Sequence, residues 1–415
     1  MVDVMQNHPV YFRNDDFDTN MIQLWFPLEN DIETIAERTI LPSLLMKTNR
    51  DYPEEDLMDR ECSRKYIITM TAGVESIGTV LFLRFTLQVP KKKVIPEINL
   101  EDCIRFFQNT ILYPNVKNGI FPMFEIEQNR IRMNLKNCEK DKSFYAYKRI
   151  MNELNPGGFL CNKLPFYPEQ LESLTSVKVF DYYRDVILNN TPFIFLFGSS
   201  ELNEFNPLLE KEWNFNRNIP KIKLDCNDFL KHRSDIKLLE DEMPFQESIL
   251  TMVYKVKNME EEDRIPLMVI SRILSSQSTN LLMTKLRDEA KLVYHAGSSS
   301  YSHFGLLTIT CGINQDVKDE SIKKVKETVK DLYNIDFLEK QLMIIQERTN
   351  INLMRKLDEK YSIFYDHIDQ FFGVEKTTLE ESEIIMNMKP LTLINLLDRF
   401  ELDLVYFLKG IGVGN

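Results

Sequence analysis

A strand-like alternation of apolar and polar positions is read in MIQLWF (Met21–Phe26) and predicts a strand. Glu29–Asp31 form a polar turn. The stretch IETIAERTILPSLLM then sets Ile32, Ile35, Ala36, Ile40 and Leu44 close to helical spacing. A second helix is predicted at EEDLMDRECSRK, and two strand-like runs follow in YIITMTAGVESIGTVLFLRFTL around Glu75–Gly78. The same order returns farther on. SILTMVYKV (Ser248–Val256) leads through the acidic turn MEEEDR to the helical IPLMVISRILSS and TNLLMTKLRDEAK, then to LVYHAGSSSYSHFGLLTITCGI, which reads as a hairpin.

The pairs Met21/Met252, Ile40/Ile273, Tyr66/Tyr294 and Gly78/Gly305 lie 231, 233, 228 and 227 residues apart. A nearly constant offset with a matching element order marks a duplicated domain, although strand, helix, helix, hairpin is also a common α+β order. Each half closes with mostly helical sequence, FEIEQNRIRMNLKNCEKDKSFYAYKRIMNEL in the first and ESIKKVKETVKDLYNIDFLEKQLMIIQERTNINLMRKL in the second. PFIFLFGSS reads as the last strand of the first half. The expectation is an α+β protein of two tandem homologous domains, each a mostly antiparallel sheet with helices packed on one face. The domains are placed at residues 1–200 and 243–415, joined by a polar connection over 201–242.

The 415 residues and a 43% hydrophobic share fit more than one buried core. A net charge of -12 repels phosphate backbones and removes the electrostatic footprint of nucleic-acid binding. The basic run Lys91–Lys93 reads as a solvated loop. Cys62, Cys103, Cys138, Cys161, Cys226 and Cys311 form no C-x-x-C pair, which argues against a disulfide framework or a thiolate zinc site and for reduced thiols. The N-terminal residues show no signal pattern and no apolar run reaches membrane-spanning length, so a soluble cytoplasmic protein is expected. The five histidines (His8, His232, His295, His303, His367) hold no metal-ligand spacing, and His295 and His303 are read as polar residues of the hairpin. G-x-S-x-G, phosphate-loop and dinucleotide motifs are absent. NPGGF, from Asn155, is read as a helix-ending turn.

The phrase LRDEAKLVY, within two tandem α+β domains, resembles the inverted-zinc metallopeptidases of the pitrilysin and insulinase type, above all their bacterial and mitochondrial processing-peptidase branch. In that branch the second domain carries a leucine-rich helix ending in L-R-E, a short linker, and L-A-Y opening a strand. Leu286, Arg287, Asp288, Leu292, Val293 and Tyr294 stand in those places. The family's H-x-x-E-H lies on the first domain's first helix, where two His and a later Glu bind zinc and the signature Glu activates water. Matching LMKTN to the family's helix tail puts Thr39, Pro42 and Ser43 where His, Glu and His would be. EIEQNRIRMNL puts Asn134 at the later Glu, with Glu127 preceding it. A neutral amide is a poor replacement for a carboxylate on zinc. Pro42 is expected to kink or end the helix.

The resemblance implies a chain that holds no zinc, is inactive alone, and pairs with an H-x-x-E-H-bearing homologous subunit as part of a zinc metalloendopeptidase. In such pairs the Arg and Tyr of L-R-x(6)-Y reach the metal beside the scissile carbonyl of a peptide, such as a precursor or leader peptide. A permanently charged guanidinium and a neutral phenol both suit a developing oxyanion. Arg287 and Tyr294 are therefore the expected substrate-binding residues. The alternatives are a structural or assembly subunit of the same fold and, for these two residues, a local role in which Arg287 pairs with Asp288 or Glu289 and Tyr294 is a half-buried strand aromatic.

Overall fold

The computed structural model describes residues 9–29, 31–77, 80–155, 168–212, 233, 235–373 and 376–412. Strands β1 (Val10–Arg13) and β2 (Thr19–Leu28) precede helices α1 (Ile35–Lys47) and α2 (Glu55–Arg60) and the hairpin strands β3 (Thr69–Ile77) and β4 (Val80–Pro90). Next come α3 (Leu100–Leu112), α4 (Phe124–Glu139), α5 (Lys142–Leu154), α6 (Pro168–Ser173), α7 (Ser176–Tyr183), β5 (Phe193–Gly198) and α8 (Asn206–Glu212). The later part holds β6 (Lys237–Met243), β7 (Ser248–Val256), α9 (Arg264–Ser275), β8 (Val293–Tyr301) and β9 (Leu306–Ile313). It ends with α10 (Lys318–Asp331), α11 (Ile335–Leu357), α12 (Lys360–Phe372), α13 (Thr378–Asn387), α14 (Pro390–Leu397) and β10 (Phe400–Gly410).

The two five-stranded sheets have one topology. Their orders are β1-β5-β2-β4-β3 and β6-β10-β7-β9-β8, each with one parallel edge pair and otherwise antiparallel pairing. β2 and β7 sit centrally and are buried along nearly their whole length, so the alternation expected of MIQLWF gives way to burial on both faces. The β6 edge strand starts at Lys237, inside the stretch that polar composition assigned to the connection. Its charged residues fit a solvated edge.

The chain divides into two compact units that are not contiguous in sequence. The first comprises Met1–Asn137, Gly157–Asp225 and Phe364–Glu375; the second comprises Cys138–Pro156, Cys226–Ile363 and Lys376–Asn415. In unit 1, alternation along β5 places Phe193, Phe195 and Phe197 on one face and Ile194 and Leu196 on the other, all buried. The phenylalanine face is capped by the end of α12. Phe371 lies 5.2 Å from Phe195, and Phe372 lies 5.3 Å from Phe193 and 5.4 Å from Phe82. In unit 2, α5 packs on the sheet although its sequence precedes residue 200. Arg149 meets Asp241 of β6 at 3.2 Å, and Arg233 joins Glu153 of α5 to Asp403 of β10, both at 2.8 Å. These exchanged segments are anchored by contacts remote in sequence, beyond the reach of local periodicity.

Two local expectations change. Pro42 neither ends α1 nor shortens it: the helix runs five residues further to Lys47, with Pro42 buried among Leu41, Leu44 and Leu45, so core packing outweighs one lost hydrogen bond. Lys91 is buried, not solvated, and its ammonium donates to the Asn14 carbonyl at 2.7 Å; Lys92 and Lys93 pair with Glu201 and Asp18. Among the described residues no helix is long and apolar enough to cross a membrane, and Cys62, Cys103, Cys138 and Cys311 are free. His8, His232, Cys161, Cys226, Gly78 and the Pro156–Phe159 part of NPGGF lie outside the described residues.

Candidate functional site

Position 39 of α1 carries a threonine whose hydroxyl donates back to the Ile35 carbonyl at 2.7 Å, so it is committed to its own helix. One turn past Thr39, Ser43 faces α4. Its hydroxyl donates to the Glu127 carboxylate at 2.6 Å and accepts from Arg130 at 2.6 Å. Lys47, a further turn along the same face, places its ammonium 2.8 Å from Glu127 and 2.7 Å from Glu55 of α2. Arg130, three residues after Glu127, closes the cluster at 2.5 Å. Glu127 is 0% exposed, and burial alone would raise its pKa. Lys47, Ser43 and Arg130 outweigh this and hold it below the ordinary carboxylate value. Lys47 is correspondingly raised, burial opposing and Glu127 and Glu55 prevailing.

The carboxylate brought to α1 is thus Glu127. Asn134, seven residues later on α4, is exposed and is not part of the cluster. The sequence reading saw Glu127 but missed Lys47 and Arg130; the signal was a lysine one turn after Ser43 and an arginine one turn after Glu127. Zinc does not fit this set. Thr39 and Pro42 offer no ligand, and the one buried carboxylate is already neutralised by two tethered cations. Among the described residues, no group of three His, Cys, Asp or Glu is placed to hold a metal ion. His295 reaches Glu247 at 3.5 Å near the start of β8, whereas His303 lies beyond that strand's other end. Burial and Lys142 keep the His295 pKa low.

Arg287 and Tyr294 occupy a different kind of surface. Met283–Glu289 is a wide π-helical turn that ends at Lys291 in left-handed conformation (φ 59°), with the Leu292 N–H reaching the Leu286 carbonyl at 2.8 Å. Buried Leu286 anchors the turn and leaves Arg287 in solvent. Arg287 forms no ion pair with Asp288 or Glu289, because Glu289 is taken by Lys285 at 3.3 Å. Tyr294 sits where the β8–β9 register slips between Val293 and His295, and such a bulge turns a side chain out of the alternation. It is 55% exposed and not a half-buried strand aromatic. Its hydroxyl donates to Asn314 at 2.7 Å.

Unit 1 repeats this turn without the two residues. The π-helical turn Glu61–Tyr66 ends at Ile67 in left-handed conformation (φ 53°), with the Ile68 N–H on the Cys62 carbonyl at 2.9 Å. Cys62/Leu286, Ile67/Lys291 and Ile68/Leu292 are each 224 residues apart, so Tyr66 does not match Tyr294. Ser63 and Met70 stand where unit 2 has Arg287 and Tyr294.

Paired sheets of one topology, with a first helix that offers no set of metal ligands among the described residues, agree with the two-unit fold that the resemblance implies. Residues 173–348 match the family described as the peptidase M16 inactive domain. The chain is similar to the probable inactive metalloprotease YmfF of Bacillus subtilis (strain 168), 19% identical over 393 residues that cover 92% of this chain and 91% of that one. Its fold matches a conserved protein from Enterococcus faecalis V583, with a TM-score of 0.86 at 18% identity over 98% and 96% of the two chains. It also matches the periplasmic protease PqqL from Escherichia coli, with a TM-score of 0.69 at 12% identity over 96% of this chain but 43% of that one. The family match thus rests on residues 173–348, and H-x-x-E-H occurs nowhere in the sequence.

Proposed function

We propose that this chain is the non-catalytic, substrate-binding subunit of a heterodimeric zinc metallopeptidase, in which Arg287 and Tyr294 assist peptide cleavage at a partner's metal. The partner is a homologous chain bearing H-x-x-E-H and supplying the zinc; the substrate is a peptide, in the fullest form of the reading a precursor or leader peptide. The observation that carries this reading is Arg287: a guanidinium left in solvent, without a counter-ion among the described residues, beside a tyrosine that a bulge turns outward. A further support is that PqqL, called a protease, has room for a second span of this length.

One observation favours a structural subunit instead: the Tyr294 hydroxyl already donates to Asn314, so a substrate carbonyl has to displace a bond of 2.7 Å. Co-expression with an H-x-x-E-H chain of similar length separates the readings. The catalytic reading expects a 1:1 mass by light scattering and a chelator-sensitive peptidase that neither chain shows alone. In that complex Arg287→Ala and Tyr294→Phe lower turnover while mass, zinc content and melting stay unchanged. Lower melting or weaker association with normal turnover per complex selects the structural reading.

A further inference from the structure

Unit 2 contains a cavity of about 280 Å³ whose lining includes neither Arg287 nor Tyr294. Three guanidiniums border it. Arg272 comes from the last turn of α9, while Arg348 and Arg355 come from α11 with Asn352 between them on the same face. Arg272 is partly neutralised by Glu381 at 3.0 Å. Arg348 and Arg355 are exposed and make no ion pair or side-chain hydrogen bond among the described residues, in a chain whose net charge is -12. The Arg272 carbonyl at the end of α9 would repel an anion, but it is already bonded by the Ser276 N–H and the Thr279 hydroxyl, both at 2.8 Å.

The lining also restricts what kind of anion fits. It has no aromatic side chain on which a nucleobase could stack. Gln277 and Asn352 carry amides that accept as well as donate, and an acceptor is idle against a phosphate but pairs with a peptide N–H. Arg348 and Arg355 are two helical turns apart, about 10 Å of rise, which about three residues of extended chain also span.

We propose that this cavity binds an acidic peptide segment, with carboxylates on Arg348 and Arg355 and the intervening backbone on Asn352 and Gln277. Guanidinium–carboxylate pairs are the stronger hydrogen bonds available to such a site. The proposal does not rest on the partner's zinc, because binding belongs to the isolated chain; either reading can fail without the other.

Fluorescence anisotropy of a labelled hexaglutamate against the full-length chain tests it, with hexalysine and tripolyphosphate alongside. The expected result is saturable, salt-sensitive binding of hexaglutamate only, weakened about tenfold by Arg348→Gln and again by Arg355→Gln. Melting is recorded on the same samples, and if the double variant melts early the single variants decide. Absence of saturable binding, undiminished binding in the folded variants, or displacement by tripolyphosphate at lower concentration than by unlabelled peptide overturns the proposal.

Discussion

The two units share a sheet order and a π-helical turn closed by a left-handed residue, yet they treat charge in opposite ways. In unit 1 the charges between α1 and α4 are paired: Glu127 is enclosed by Lys47, Arg130 and Ser43, and Lys47 also holds Glu55. In unit 2 the turn exposes Arg287 with no counter-ion among the described residues. A neutralised buried cluster supports packing and has no capacity left for a ligand. An unanswered exposed guanidinium adds little to stability and remains available to bind. Equal topology therefore does not imply equal function for the two halves.

The largest expected effect tests that contrast directly. In the proposed heterodimer, Arg287→Ala is expected to lower turnover by roughly 10²-fold or more, the usual magnitude for a donor at an oxyanion. Ser63→Ala, at the matching place in unit 1, leaves turnover unchanged; steady-state assays of the two variants in one preparation suffice. Equal losses would erase the distinction between the units.

Stability should show the reverse pattern. Lys47→Met leaves Glu127 buried with Arg130 as its remaining cation, and is expected to destabilise the fold by about 2 kcal/mol. That is less than the 3 to 5 typical of a fully buried broken pair, because Lys47 is partly solvated. Arg287→Met should stay within about 0.5 kcal/mol. Denaturant midpoints measure both.

Acid sharpens the same point. Glu127 has a pKa below its ordinary 4.5, so its contribution is present above about pH 4.5 and fades as pH falls through the folded value. Lys47, raised above 10.5, contributes fully throughout that range. The stability gap between the native chain and Glu127→Gln should therefore shrink on going from pH 7 to below pH 4, as chemical denaturation at each pH can show. A constant gap means that the carboxylate charge is not what holds α1 to α4.

The smallest effect concerns the shared turn. β-branched Ile67 at φ 53° is more strained than unbranched Lys291 at φ 59°. Ile67→Gly should raise stability by about 1 kcal/mol and Lys291→Gly by a few tenths, read from thermal melts.

Much of this was legible in the chain itself. The stretches Met21–Phe26 and Ser248–Val256 marked β2 and β7, and the helix-then-hairpin order marked the repeat. LRDEAKLVY located the exposed Arg and Tyr. Asn134 stands where the resemblance puts the later Glu, and counting along α4 does not reveal that the carboxylate meeting α1 in this chain is Glu127, two turns earlier on nearly the same face. The nearly constant offset sets Tyr66 against Tyr294 at 228 residues, whereas the backbone bonds of the two turns set the offset there at 224.

The sequence by itself determined the element order, the duplicated plan and the loss of H-x-x-E-H, since these depend on residue type and on spacing within a few turns. Only the tertiary structure decided that α5 completes the second sheet and the end of α12 the first, and that Lys47 and Arg130 converge on Glu127. It alone decided that Arg287 has no counter-ion among the described residues. The physical reason is range. Periodicity reports what a residue does to its own helix or strand, whereas burial and charge neutralisation depend on side chains tens to hundreds of residues away in the chain.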